Sequence, residues 1–487
     1  MSSPRIVIIG AGFGGLGTAI ELLGHGFTDI TILERAANLG GVWRDNTYPN
    51  AACDVPSSLY SWSFAPNPDW ARRYSGQADI LDYIDRVAGQ YGLREKIHTS
   101  IEVSAATYQD ESATWLVETL DPATGVSESI EADFLIPAVG QLSRPVIPKL
   151  PGRDTFTGPA FHSAEWDHDV DLRGKRVAVL GTGASAIQFV PGIQPIAGHV
   201  TVFQRSAPYV VPKPDRAYTG LHHRAFAKLP RTQALGRKLT WVASEQLNKS
   251  LAGEGPMTKV LEVAWRAHLR HQIKDPALRA KLRPDYPIGC KRLLFSNDWY
   301  PALAAPNVDV VTDNVVEVLP NGVRTADGTV HEVDVIIYGT GFAATEFLAP
   351  MKITGANGLG LGEAWAEGAR AYYGICVPGF PNLGIVYGPN TNLGGSSIIN
   401  MMESQSGYIR QLVEAADGGS IAVRPEVEER FDAEIQKRLA ASVWGGCASW
   451  YRDAAGRVTT NWPGTVVEYK ARIAQLDRRD FEINKAG

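Results

Sequence analysis

Cysteine is scarce: four residues in a chain of 487 (Cys53, Cys290, Cys376 and Cys447) cannot staple a protein of this size. No two of them form a C-x-x-C pair. That argues against a zinc site and a redox-active disulfide, and it suits a reducing cytoplasm, the expected location. No metal-ligand cluster is expected. No apolar run approaches the roughly 18 residues that a membrane-crossing helix needs. The apolar strand Arg5–Gly10 begins so early that no signal peptide is expected either. Charge of one sign is also lacking, since the net value of −5 offers no electrostatic case for nucleic acid or an anionic membrane. Neither is expected as a partner. What remains is an ordinary globular composition, 44% hydrophobic and 20% charged, in a chain too long for one core. Two or three domains are expected.

The informative residues begin at once. "RIVIIG" reads as a short buried strand, "GAGFGG" supplies Gly10, Gly12 and Gly15, "LGTAIELLGHG" is an amphipathic helix, and "DITILE" is a strand ending at Glu34. Glycines at these three positions let the backbone turn tightly and approach a pyrophosphate at a helix N-terminus, where amide groups and the macrodipole favour negative charge. An acid at the end of the second strand accepts hydrogen bonds from ribose hydroxyls. This first unit is expected to hold FAD.

The pattern recurs with one change. "KRVAVLG" is a strand, "GTGASA" supplies Gly181, Thr182, Gly183, Ala184, Ser185 and Ala186, and "HVTVFQR" is the next strand. It ends in Gln204, Arg205 and Ser206 instead of an acid. A carboxylate would repel a 2′-phosphate, whereas a guanidinium grips one through paired charged hydrogen bonds. The second unit is expected to hold NADPH.

These units imply an α/β fold with two Rossmann-like dinucleotide-binding domains. "ADFLIPAVGQ" (132–141) and "VDVIIYGTGF" (333–342) read as strands running into glycine turns, the second returning the chain to the first domain. The expected boundaries are 1–150 and 333–487 for a discontinuous FAD-binding domain, with 151–220 and 284–332 for the NADP-binding domain. Residues 221–283 read as a helical insertion with 13 Lys or Arg against 4 Asp or Glu, its charges on solvated faces. Between the units, "TFTGPAFHSAEWDHD" (155–169) is too broken for a helix and too mixed in polarity for a buried strand.

That connector carries the resemblance. Phe156, Gly158, His162, Trp166 and Asp167 fill F-x-G-x-x-x-H-x-x-x-W-[PD], which resembles the fingerprint of type I Baeyer–Villiger monooxygenases. "GVWRDNTYPNAACD" resembles a second family pattern through Gly41, Trp43, Tyr48, Pro49 and Asp54, with Asn50 departing where the family has Gly or Met. Asparagine tolerates the left-handed backbone that a glycine would adopt there.

The resemblance implies an FAD- and NADPH-dependent enzyme that inserts one oxygen atom of O2 beside a ketone carbonyl through a C4a-peroxyflavin. The product would be an ester or lactone, with thioether oxidation as a second activity. It also implies that Arg292, in "GCKRLLF", is catalytic and that Asp54 orients it. Lys291 would join Arg205 and Ser206 on the 2′-phosphate. Phe13, Gly14, Gly41, Val42, Trp43, Tyr60 and Val103 would contact FAD, and Trp450 would reach NADP. His162 and Trp166 would order the linker and its contacts with NADP. The Gly- and Asn-rich loop 387–397 would pass near the flavin without a catalytic group. An N- or S-oxygenating flavin monooxygenase and a non-catalytic dinucleotide sensor are the alternatives. A disulfide reductase fails for want of C-x-x-C.

Overall fold

The computed structural model describes residues 3–447 and 449–485. The chain opens with β1 (Ile6–Ile9), α1 (Phe13–Gly24) and β2 (Ile30–Glu34). Two helices follow, α2 (Val42–Asp45) and α3 (Gln77–Gln90), and then β3 (Ile97–Thr99). All four residues of β1 are buried, as continuous apolar runs are when a parallel strand is covered on both faces. An antiparallel excursion, β4 (Glu102–Gln109), β5 (Thr114–Leu120) and β6 (Ser127–Ala132), precedes β7 (Phe134–Pro137). The first sheet is parallel with order β3-β2-β1-β7.

The second sheet is assembled from β8 (Ala160–His162), β9 (Arg176–Leu180), β10 (His199–Phe203), β13 (Val308–Val311) and β17 (Val335–Tyr338). Its order is β13-β10-β9-β17-β8, again parallel. Helix α4 (Ala186–Ile193) follows β9 and its glycine loop. The short strands β11 (Val210–Val211) and β12 (Leu294–Phe295) pair with each other and flank the helical insertion. That insertion consists of α5 (Gly220–Lys228), α6 (Pro230–Leu251), α7 (Met257–Gln272) and α8 (Pro276–Lys281). Helix α9 (Trp299–Leu303) leads to β13, and β14 (Val315–Leu319), β15 (Gly322–Thr325) and β16 (Val330–Glu332) form a separate antiparallel sheet.

Two expectations are corrected here. The strand within 333–342 does not return to the first domain. It is β17, hydrogen-bonded between β9 and β8 in the second sheet. Its run "VIIY" is as apolar as β7, so composition does not say which sheet it completes. The return comes at β18 (Lys352–Thr354), which pairs with β4. From there the helix Ile398–Ala416 packs on α1, where Thr18 and Ser406 hydroxyls lie 2.8 Å apart. The second correction is the connector, which contains the edge strand β8. Its Phe161 and His162 are buried although Gly158 and Pro159 precede them. Gly158 is required there because a Cβ would collide with the carbonyl oxygen of Asp334.

Among the described residues, no helix is long and apolar enough to cross a membrane.

Candidate functional site

A cavity of about 1600 Å³ opens at the carboxyl ends of both parallel sheets, where open α/β sheets bind their ligands. Every residue expected to bind a cofactor lines it except Gly15 and Ala186. Those two lie beneath the glycine turns. A Cβ on Gly15 would strike the carbonyl oxygen of Gly10, so this glycine lets α1 close on β1. Gly10 has φ +107°, and a Cβ there would come within 2.7 Å of the Ala138 oxygen. Gly181, with φ +110°, stands in the same relation to Gly339. Both turns therefore leave bare backbone facing the cavity at a helix start, the cradle a pyrophosphate needs.

Glu34 ends β2 at 5% exposure. Its Oε2 accepts from the Ala11 amide at 2.9 Å, its Oε1 accepts from Ala36 at 3.1 Å, and Arg44 pairs with it at 2.9 Å. The carboxylate is thus fixed at the rim of the first glycine loop, with its buried charge compensated. Trp43 donates its indole N–H to the Tyr60 hydroxyl at 3.1 Å, and both rings line the cavity. Asn50 has φ +63°, the left-handed conformation that its departure from Gly requires.

At the second loop, Arg205 and Ser206 follow β10, and Lys291 donates to the Ser206 hydroxyl at 2.9 Å. Burial and the neighbouring Arg205 charge both push the Lys291 ammonium down from its ordinary value. Neither cation forms an ion pair with a carboxylate among the described residues. Two like charges held together with no carboxylate in ion-pair contact make a site for a dianion such as a phosphate.

Arg292 arrives from the other side of the same segment, positioned by the pairing of β12 with β11. Its Nε donates to Asp54 at 3.1 Å and its Nη2 reaches both carboxylate oxygens at 3.0 and 2.7 Å. The Asp54 charge raises the Arg292 pKa above its ordinary value in spite of desolvation, so the guanidinium stays protonated. The Nη1 group makes no hydrogen bond among the described residues and is left as a fixed cationic donor in a cavity wall. The pair also joins the two halves of the molecule, since Asp54 belongs to the loop after β2. Gln188 on α4 holds that loop, donating to the Ala52 oxygen at 2.9 Å and accepting from Ala52 and Tyr48 at 3.1 and 3.2 Å.

The connector motif lies elsewhere. None of Phe156, Gly158, His162, Trp166 and Asp167 lines the cavity. His162 is fully buried, accepts from the Ala164 amide at 3.1 Å and packs edge-on against Phe342. Burial lowers its pKa from the ordinary histidine value. Trp166 is half-buried and packs on Phe161 and Phe189 against the core of the second unit. Their packing holds β8 and β17 against α4. Asp167 caps its own turn, accepting from Asp169 at 3.0 Å.

The cysteine expectation also changes. Cys290, next to Lys291, is joined to Cys447, while Cys53 and Cys376 are free and buried. The two partners are 157 residues apart, a separation at which spacing carries no signal. A reducing compartment no longer follows from the cysteines. Sequence reasoning also passed over Arg44, Gln188 and Tyr387. Arg44 follows Trp43 within a recognised pattern, which was a usable signal. Gln188 offered none. Tyr387, in the loop given no catalytic group, lines the cavity with φ +62° and donates to Asn392 Oδ1 at 2.8 Å. Asn392 is in turn held by Asn461 at 3.0 Å.

A flavin-binding monooxygenase-like family model matches residues 3–352. A Baeyer–Villiger monooxygenase of Streptomyces coelicolor is 45% identical over 98% of this chain and 92% of its own length. A Baeyer–Villiger monooxygenase of Pseudomonas aeruginosa is 41% identical over 98% and 91%. Among solved structures, an oxidized steroid monooxygenase bound to NADP matches with a TM-score of 0.86 at 29% identity, covering 100% of both chains. Cyclohexanone monooxygenase from a Rhodococcus, bound to NADP+, matches with a TM-score of 0.87 at 28% identity over 99% of each.

Proposed function

The chain belongs to the flavin-binding monooxygenase-like family, and from that premise we propose that it is an FAD- and NADPH-dependent Baeyer–Villiger monooxygenase. Its reaction converts a ketone and O2 to an ester or lactone. The observation that carries this reading is the Arg292–Asp54 pair, held in one cavity between two dinucleotide loops. The glycine turns fit two dinucleotides: at Gly10 and Gly181 only bare backbone fits, with a carboxylate beyond the first loop and unpaired cations beyond the second.

Bound FAD, reduced by NADPH, supplies the oxygen activation. The protein's residues do the rest. Glu34 takes ribose hydroxyls of the first dinucleotide, while Arg205, Ser206 and Lys291 hold the 2′-phosphate of the second. Arg292 presents its free Nη1 edge to oxygen that gains negative charge as a carbonyl is attacked. A fixed donor of this kind favours the charge-bearing transition state over the neutral ketone. Asp54 holds the guanidinium in that orientation. Trp43, Tyr60 and Tyr387 form walls that exclude water.

Activity is tested by screening purified protein against cyclic, linear and aryl ketones, with NADPH loss and ester formation recorded together. NADPH oxidation without ester from every ketone refutes the assignment. The purified protein is expected to be yellow with FAD; FMN alone would contradict the adenine-ribose role of Glu34.

Nicotinamide choice gives a residue-level check. NADPH is expected to be preferred over NADH by roughly 1–3 kcal/mol, the range for charge-assisted hydrogen bonds. Arg205→Ala is expected to raise KM for NADPH and leave NADH use nearly unchanged. Equal losses with both would make Arg205 structural.

A further inference from the structure

The first long helix of the insertion turns mostly polar residues inward and leaves apolar ones outside. Helix α6 buries Glu245, Asn248 and Ser250 alongside Leu251, while Leu235, Leu239 and Val242 face solvent. The three apolar residues stand at i, i+4 and i+7, one stripe opposite the buried face. The inward contacts are polar: Glu245 accepts from the Val466 and Val467 amides at 3.2 and 3.1 Å, and Arg237 donates to the Ser58 oxygen at 2.7 Å. Helix α7, packed beside α6, also leaves apolar residues outside, Val260 and Val263, while Trp265 and Leu269 fill its inner face. Leu221 and Leu229, at the two ends of α5, extend the surface. These and the α6 pair are the four exposed leucines among the described residues, each between 57% and 77% exposed. Scattered exposed apolar residues are normal, but concentration of this kind on one subdomain marks a surface that something covers.

The charge on the same face says what covers it. The insertion carries 13 Lys or Arg against 4 Asp or Glu, in a chain whose totals are 47 and 52. Arg231, Lys238 and Lys249 flank the α6 stripe, and Lys259 and Arg270 flank the α7 stripe; all five are exposed. None of the five forms an ion pair among the described residues. An apolar stripe edged with unpaired cations is the pattern of a helix that lies in the plane of a lipid headgroup layer. Two copies meeting through this face would bring like charges together, and leucines add nothing to a phosphate-backbone contact with nucleic acid. We infer that the outer face of α5–α7 docks peripherally on an anionic bilayer surface. Net charge alone predicts no such partner, because the acidic remainder of the chain masks the basic insertion.

The test is flotation of the FAD-loaded full-length protein with two kinds of vesicle, phosphatidylcholine alone and an equimolar mixture of phosphatidylcholine and phosphatidylglycerol. The expected result is flotation with the mixed vesicles only, weakened by salt. Lys238→Ala and Lys249→Ala should each lower the partition coefficient roughly fivefold, the effect of one basic residue near an anionic surface. The triple variant Leu235→Ser/Val242→Ser/Val263→Ser should stay with the pellet while retaining FAD and vesicle-free activity. Should that variant fold poorly, Lys238→Glu/Lys249→Glu carries the same expectation. Wild-type protein that does not float, or a variant of either kind that floats as well as wild type, overturns the inference. So does a wild-type dimer in light scattering that the triple variant converts to monomer, which would make the occupant a second copy.

Discussion

Arg292→Ala is expected to nearly abolish ester formation while FAD stays bound. The guanidinium is offered to the reaction by geometry: two of its nitrogens are committed to Asp54, the third makes no hydrogen bond among the described residues, and the residue lines the cavity. Its charge matters most where negative charge has built up on oxygen and on the attacked carbonyl, and least in the ground state. Removing one preorganised donor of this type typically costs about 2.7–4 kcal/mol, on the order of a hundred- to a thousandfold in rate. Hydride delivery from NADPH develops no such anion, so flavin reduction should persist in the variant. Oxygen should then leave as hydrogen peroxide instead of entering the ketone. Stopped-flow reduction and reoxidation, with ester and hydrogen peroxide quantified in parallel, separate these steps. Near-normal ester yield would remove Arg292 from the chemistry and turn attention to Lys291, whose ammonium already contacts Ser206.

The parts of this molecule that sequence reveals are those where one residue type alone satisfies the backbone. Gly10, Gly15 and Gly181 are legible because any Cβ there meets a carbonyl oxygen. The insertion is legible because a change of composition and period marks it, and its expected span, 221–283, nearly coincides with α5–α8. Pairing is where legibility ends. β17 and β7 are interchangeable apolar runs, and only hydrogen bonding assigns the first to the second sheet. β8 was missed because three residues at a sheet edge need little β pattern once Phe161 and His162 find a core. The Cys290–Cys447 link and the Gln188 clamp depend on long-range folding and leave no mark in spacing. The charge of the insertion could be counted, but which way its leucines face could not. That required knowing that α6 is anchored through Glu245 and Arg237. In the connector, the fingerprint spacing points to the right family, while the packing of His162 and Trp166 between β8, β17 and α4 comes from long-range contacts that spacing does not carry.

Asp54→Ala isolates positioning from cofactor retention. Asp54 contributes both oxygens to Arg292, with side-chain exposures of 22% and 31% for the two partners. Removing the carboxylate leaves a half-buried guanidinium without its counterion. Solvent reaches the pair, so the stability loss should fall below the roughly 3–5 kcal/mol of breaking a fully buried one. Catalysis should suffer more than stability. A freed guanidinium samples rotamers in which its Nη1 edge no longer meets the reacting oxygen, and a misplacement of about 1 Å is worth on the order of a hundredfold in rate. Ester formation should therefore fall by about that factor, with FAD content and the rate of flavin reduction close to wild type. Asp54→Asn separates charge from geometry. The amide keeps one acceptor for Arg292 but adds no negative charge, so it should recover part of the ester yield and little of the thermal stability. If Asp54→Ala instead emerges mainly as apoprotein, the aspartate holds the cofactor. If Asp54→Asn is no better than Asp54→Ala in ester yield, the charge on Asp54, and not its hold on the Arg292 fork, is what the reaction uses.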